Sequence, residues 1–309
     1  MPDHAGHAHS HGADHGAHAG ERFLGTAFLL AAAILLVELA GGYFAHSLAL
    51  LSDAGHMLTD VLALGAARFS ARLAHRPPSG RWSYGFHRAG ILAALFNAAT
   101  LLVVSGAILV EAISRMLHPA PVQGAVMFAA AAVGLAGNLY IGLRLEGGHR
   151  HANLNVRSAW LHVMSDAAAS GAVLVGGLLI YWTGWRIVDP VVSTLISLLI
   201  LRGAWSILRE TVAILMEGMP EGVDQAALVR ALCNDSDIVS CHHLHVWSLG
   251  SGQVALSAHL VMCNAPLATV QGVMERTAAM LQRDFGIVHC TFQPESEGEP
   301  CVDGDDQHV

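Results

Sequence analysis

Apolar residues dominate the chain from about residue 23 to about residue 208, in six runs broken by short polar turns. Each run is close to the roughly 20 residues that cross the hydrocarbon core of a bilayer. The runs fall near 23–45, 47–70, 89–112, 122–145, 154–181 and 188–208. From about residue 212 the pattern changes. Pro220 to Asp235 reads as an amphipathic helix. Ile238 to Trp247 and Val254 to Met262 alternate as strands do, separated by the turn signal Gly250-Ser251-Gly252. Ala265 to Phe285 reads as a second helix and Gly286 to Phe292 as a third strand. The order α-β-β-α-β predicts a small α+β sandwich with its helices on one face of the sheet. The pattern thus predicts an α-helical membrane protein. A six-helix transmembrane domain over 21–211 precedes an α+β domain over 212–297, with polar tails at 1–20 and 298–309.

Composition strengthens the membrane reading. Of 309 residues, 53% are hydrophobic and only 13% charged, too apolar for an ordinary soluble domain. The 16 basic residues are all Arg, and the net charge of −8 argues against a nucleic-acid partner. All five cysteines lie in the last third (Cys233, Cys241, Cys263, Cys290 and Cys301), and none forms a C-x-x-C pair. Reduced thiols facing the cytoplasm are expected, rather than a zinc finger or a redox motif. The first twenty residues lack the basic and apolar regions of a cleavable signal peptide. They carry His4, His7, His9, His11, His15 and His18 among Gly, Ala and Asp. No core can form there, so the stretch is expected to be disordered. It is either a solvated tail or a weak, labile binder of zinc or copper.

Loop charges orient the spans. Arg72, Arg76, Arg81 and Arg88 follow the second run, and Arg144, Arg150 and Arg157 surround the turn between the fourth and fifth. The opposite turns hold only Arg115 and Arg186. The positive-inside rule then puts both termini in the cytoplasm, with Trp182 and Trp185 anchoring the far interface.

Two stretches inside this apolar frame carry charge. Leu51 to Asp60 places His56 and Asp60 four apart, so both leave one helix face. His162 and Asp166 repeat the pair a hundred residues on. Ionisable groups inside a membrane are expensive and mark function. Two imidazoles and two carboxylates suit one tetrahedral zinc site built from two helices. Two carboxylates cancel a dication and neutral imidazoles add no charge, which lowers the cost of carrying the ion through hydrocarbon. Without metal the site takes up protons that a metal must displace, which is the chemistry of an antiporter. Asp53 shares the face of His56 and Asp60; it either orients His56 or lines the ion path. Glu38 serves as a helix–helix hydrogen bond or belongs to that path.

At these residues the chain resembles the cation diffusion facilitator family, its zinc-exporting branch in particular. The resemblance rests on Ser47 to Asp60, Arg81-Trp-Ser-Tyr-Gly-Phe-His-Arg88, Asn153 to Asp166 and His243-Leu-His-Val-Trp247, and covers nearly the whole chain. It implies six spans, a cytoplasmic ferredoxin-like domain and a homodimer in the inner (plasma) membrane of a bacterium. It also implies zinc/proton exchange through His56, Asp60, His162 and Asp166, with zinc as substrate, protons as counter-ion and no prosthetic group. The sequence leaves cadmium, cobalt, nickel and iron open as secondary substrates. His at the first position of each pair goes with zinc in that family.

The resemblance further implies a second zinc site, regulatory in character, on the cytoplasmic sheet. His243, His259 and His289 are its expected ligands, with Cys290 or Cys301 as a possible addition; ordinary strand residues are the alternative. The loop after the second span departs from the family pattern, since His87 is its one nearby ligand and no complete site is expected there. His149 and His151 either feed metal to the mouth of the path or are plain loop histidines. Two rival functions make different demands of the sequence. A membrane zinc hydrolase would need a general base and an open coordination position, and no His-Glu-x-x-His or nucleophile elbow occurs. A metal sensor would bind without flux.

Overall fold

A computed structural model describes residues 12–74, 82–146, 154–250, 253–263 and 266–297. Six long helices come first: α1 (Gly12–Ala45), α2 (Leu48–Ala74), α3 (Ala89–Leu117), α4 (Gly124–Glu146), α5 (Leu154–Thr183) and α6 (Val188–Leu215). Then follow α7 (Gln225–Leu232), β1 (Ile238–Gly250), β2 (Gln253–Met262), α8 (Leu267–Phe285) and β3 (Ile287–Ser296). Among the described residues, five of the long helices are long and apolar enough to cross a membrane: α1 over Phe28–Ala45, α3, α4 over Gly124–Arg144, α5 over Trp160–Thr183, and α6. The sixth expected span, α2, is 27 residues long. It carries Asp53 and Asp60, and Arg68 and Arg72 follow in its last two turns.

α1 begins at Gly12, whereas no fixed structure was expected before residue 21. A formed helix extends at little cost through Ala-containing sequence, because the nucleation penalty is already met by the apolar span. His149, His151 and Cys301 lie outside the described residues.

The chain divides into two compact units, Met1–Leu64 with Ala99–Ala204, and Gly65–Ala98 with Trp205–Val309. In the first, small residues bring helices close. A Cβ on Gly177 of α5 would stand 2.8 Å from the Phe128 backbone nitrogen of α4, so only glycine allows that crossing. Leu50, Met127, Ala131 and Val173 form the core between α2, α4 and α5.

In the second unit β1 and β2 pair antiparallel, and β2 and β3 pair parallel, in the order β1-β2-β3. The parallel pair needs a crossover, and α8 provides it. Asp224 caps α7 by accepting from Ala226 N at 3.0 Å, and Gly286 ends α8 at φ 67°. Leu256, Ala258, Leu260 and Met262 alternate along β2 towards Leu228, Val273 and Leu281 of the two helices. Ser257, His259 and Val261 therefore face the other way.

Candidate metal site

His56 and Asp60 leave α2 one turn apart, and His162 and Asp166 leave α5 in the same way. The two pairs face each other within the first unit. His56 Nε2 lies 3.7 Å from Asp60 Oδ2 and 3.6 Å from Asp166 Oδ1. His162 Nε2 lies 3.4 Å from Asp60 Oδ2 and 3.8 Å from Asp166 Oδ2. The imidazole rings meet edge to face, with centroids 5.9 Å apart. These separations exceed good hydrogen bonds. They approach the ligand–ligand edge of a zinc tetrahedron, about 3.4 Å for bonds of 2.0–2.1 Å. His56, His162 and Asp166 each offer a ligand atom within 4.8 Å of the others. Asp166 Oδ1 is buried without a hydrogen-bond partner, as expected of a group arranged for an ion.

Neighbouring groups hold this cluster. Asp189 of α6, fully buried, accepts from Ser47 Oγ at 2.5 Å, Leu48 N at 2.9 Å and Ala49 N at 3.2 Å. A carboxylate thus caps the first turn of the helix that carries His56, where N–H groups have no intrahelical acceptor. The sequence reading passes over Asp189; its one signal is an acid at the start of an otherwise apolar run. Asp53 reaches Ser170 of α5 at 3.0 Å rather than His56, so it ties α2 to α5 next to the cluster.

The sheet gathers a second cluster, and it is not the expected trio. His242 pairs opposite His259 in the β1–β2 ladder. His242 Nε2 lies 3.1 Å from Glu295 Oε2, and His259 Nδ1 lies 2.8 Å from Glu295 Oε1. Each of the three offers a ligand atom within 4.8 Å of the others. His243 stands beside them, its ring 4.9 Å from that of His259. An irregularity in the ladder between His242 and His245, with His243 at φ 48°, shifts the alternation and brings His242 in. His289 is opposite Ala255, whereas Gln293 is opposite His259. Four residues of strand, roughly 13 Å, thus separate His289 from the cluster, and its ring instead meets Tyr84 edge to face. Cys290 packs into the helix-facing core, on the opposite side of the sheet from Glu295. Burial pushes its thiol up, and pushes that of Cys241 up to about 11 with Cys233 adding to the shift. His87 lies in neither cluster; a Cβ on Gly250 would come within 2.9 Å of its carbonyl oxygen.

Paired imidazoles and carboxylates within apolar helices, joined to an α+β domain with its own ligand cluster, define a membrane transporter of metal cations. The pattern of the cation efflux transmembrane domain matches residues 24–216, and that of the cation efflux protein cytoplasmic domain matches residues 220–297. The chain belongs to the cation efflux family, the cation diffusion facilitators. It is 39% identical over 305 residues to the zinc transporter ZitB of Escherichia coli, covering 98% of this chain and 96% of that one. It is 37% identical over 301 residues to the metal cation efflux system protein CzcD of Cupriavidus metallidurans, covering 97% and 92%. A third relative, 35% identical over 294 residues with 94% and 92% covered, is the cadmium, cobalt and zinc/H(+)-K(+) antiporter of Bacillus subtilis.

Proposed function

We propose that this protein exports zinc from the cytoplasm in exchange for protons, through a tetrahedral site of His56, Asp60, His162 and Asp166 between α2 and α5. The observation that carries the reading is the set of 3.4–3.8 Å separations between imidazole nitrogens and carboxylate oxygens on two facing helices. Zinc bound there is neutralised by two carboxylates, so the loaded site crosses the membrane with no net charge to desolvate. Once zinc has left, the same groups bind protons, and the next zinc displaces them. Metal and protons thus alternate on one set of atoms, which is the minimum an exchanger needs.

The chain works in this reading as a homodimer in the bacterial inner membrane. Six spans over 21–211, α2 included, precede a ferredoxin-like domain over 212–297, with both termini cytoplasmic. A polar second helix suits this, because α2 turns its charged face to α5 rather than to lipid. His242, His259 and Glu295 bind a second zinc that reports cytoplasmic metal to the transporter. Cadmium and cobalt, named for the Bacillus subtilis relative, are secondary substrates.

Zinc flux into proteoliposomes under an imposed pH gradient tests the reading, wild type beside an Asp60→Ala/Asp166→Ala double variant. Gradient-driven flux in the wild type and none in the variant is the expected result. Binding without flux in the wild type would favour a sensor. Flux that survives in the variant would move the site elsewhere. Replacing the pH gradient with a potassium gradient separates proton from potassium coupling.

A further inference from the structure

Glu38 of α1 is fully buried within the Phe28–Ala45 span. Its Oε1 lies 3.4 Å from Ser170 Oγ of α5, and its Oε2 is buried with no hydrogen-bond partner. Asp53 of α2, 1% exposed, meets the same hydroxyl at 3.0 Å. Asn138 of α4, also buried, donates its Nδ2 to that hydroxyl at 3.4 Å. Four helices thus converge on one serine oxygen. Gly134 of α4 makes room for the acid, since a Cβ there would overlap Glu38 Oε1.

The hydrogen-bond count identifies what this node holds. A serine hydroxyl has one proton to donate and two lone pairs to accept. It cannot satisfy two carboxylates at once, and two adjacent buried anions repel each other. One proton on the pair closes the count. Glu38 Oε1–H donates to Ser170 Oγ, Ser170 donates to Asp53 Oδ2, and Asn138 fills the second lone pair of the serine. Glu38 Oε2 is then the carbonyl oxygen of a neutral acid, for which lacking a partner costs far less than for an anionic oxygen. Shifting both hydrogens along the chain gives the mirror state. The Glu38 proton passes to Ser170 Oγ as the Ser170 proton passes to Asp53 Oδ2. Glu38 becomes the carboxylate, Asp53 the carboxyl, and no proton is gained or lost.

We infer that Glu38, Ser170 and Asp53 form a proton relay, distinct from the metal ligands, that carries the counter-transported proton to and from them beside the metal site. The inference rests on the proton-exchange reading above. Its placement supports the coupling: Asp53 is three residues before His56 on α2, and Ser170 is four after Asp166 on α5. The relay is therefore one turn from the cluster along both helices that supply ligands. The titratable groups facing it are Asp166 from α5 and, on the helix of Asp53, His56 and Asp60. Among the described residues α4 contributes Asn138 and Gly134, neither of them charged. A dication in the cluster and a proton in the relay thus draw on the same negative field, so arrival of one favours departure of the other.

The test uses the full-length protein in liposomes and two readouts. One is zinc flux driven by a pH gradient. The other is isotopic zinc-for-zinc exchange at equal pH, which needs the loaded carrier to alternate but no net proton transfer. Glu38→Gln and Asp53→Asn should each lower pH-driven flux about 100-fold, the scale of losing a positioned proton-transfer group, while exchange stays within about threefold. If Glu38→Gln does not fold, Ser170→Ala and Ser170→Thr decide: the alanine should lose pH-driven flux and the threonine, which keeps the hydroxyl, should retain it. Wild-type pH-driven flux in Glu38→Gln, or in Ser170→Ala, overturns the relay. Equal loss of exchange and pH-driven flux in the well-folded variants also overturns it, because the residues would then only shape the metal site. A wild type that exchanges zinc but ignores the pH gradient overturns proton exchange itself, an outcome recognisable without any variant.

Discussion

His162 Nε2 lies 3.4 Å from Asp60 Oδ2 across the α2–α5 pair, closer than either histidine lies to the aspartate one turn away on its own helix, at 3.7 Å and 3.8 Å. The cluster is therefore a product of helix association as much as of the i,i+4 spacing within each helix. Removing either member of the cross-helix pair should be as harmful as removing a whole His/Asp pair. His162→Ala and Asp60→Ala should each weaken zinc binding more than about 100-fold, beyond the 10–100-fold typical of losing a supporting partner. Equilibrium zinc titration of the purified proteins measures this, and a loss below tenfold in either would remove that residue from the ligand set.

Metal choice should follow from the imidazoles. His56→Asp removes a nitrogen donor suited to zinc and puts in its place a carboxylate that can bind through one or two oxygens, so the site relaxes toward a larger ion. Cadmium should then compete with zinc about tenfold better in flux assays than it does with the wild type. An unchanged ratio would separate His56 from selectivity.

Much of this was legible in the chain, for physical reasons that differ by residue. A 3.6-residue period fixes which side chains share a helix face, so the repeated His/Asp pairs point to one cluster between two helices. Asp189 could not be read in the same way, because its partners Ser47, Leu48 and Ala49 lie about 140 residues away in sequence. Ser170 looked like one small polar residue among several; only the packing of α1, α2 and α4 around it gives it meaning. On the sheet, the family resemblance pointed to His243 and His289, whereas an irregularity in the ladder near His243 brings His242 to His259 instead. Glu295 was hidden because β3 continues to Ser296, past the expected end at Phe292.

Asp189 should matter to stability rather than to selectivity. Asp189→Ala leaves the Ser47 hydroxyl and the Leu48 and Ala49 amides buried without their acceptor. At about 1–3 kcal/mol for each unsatisfied group, partly relieved by relaxation, a loss of about 3 kcal/mol is expected. Thermal unfolding in detergent should show a clear drop in midpoint, with an unchanged zinc-to-cadmium preference in whatever protein remains folded. A wild-type midpoint would mean the α2 terminus finds other acceptors.

The second cluster makes a stoichiometric prediction. Glu295 bridges His242 and His259, so Glu295→Ala should remove one bound zinc per chain from the full-length protein. His289→Ala and Cys290→Ser should remove none, because the first is displaced along β3 and the second lies on the other face of the sheet. Metal analysis after equilibrium dialysis distinguishes the two outcomes. Loss of zinc in His289→Ala with retention in Glu295→Ala would restore the trio of His243, His259 and His289 that the family resemblance implies.

Thiol chemistry offers an independent check on the packing of the second unit. Cys263 is exposed and Cys241 buried, with Cys233 and Cys290 between. Among these four, a maleimide at neutral pH should label Cys263 first and Cys241 only after unfolding. Burial holds the Cys241 thiol up at about 11, above its ordinary value near 9. A group whose folded value is raised leaves stability untouched below the unfolded value. Its contribution is then lost as the pH climbs towards the folded one, because the unfolded chain gives up its proton first. The unfolding midpoint of the full-length protein in detergent should therefore fall between pH 9 and pH 11, and fall less in Cys241→Val, which keeps the packing without the ionisation. Parallel pH profiles for the two proteins would show that Cys241 meets water, contrary to its place among Leu244, Leu260 and Ile238 in the domain core.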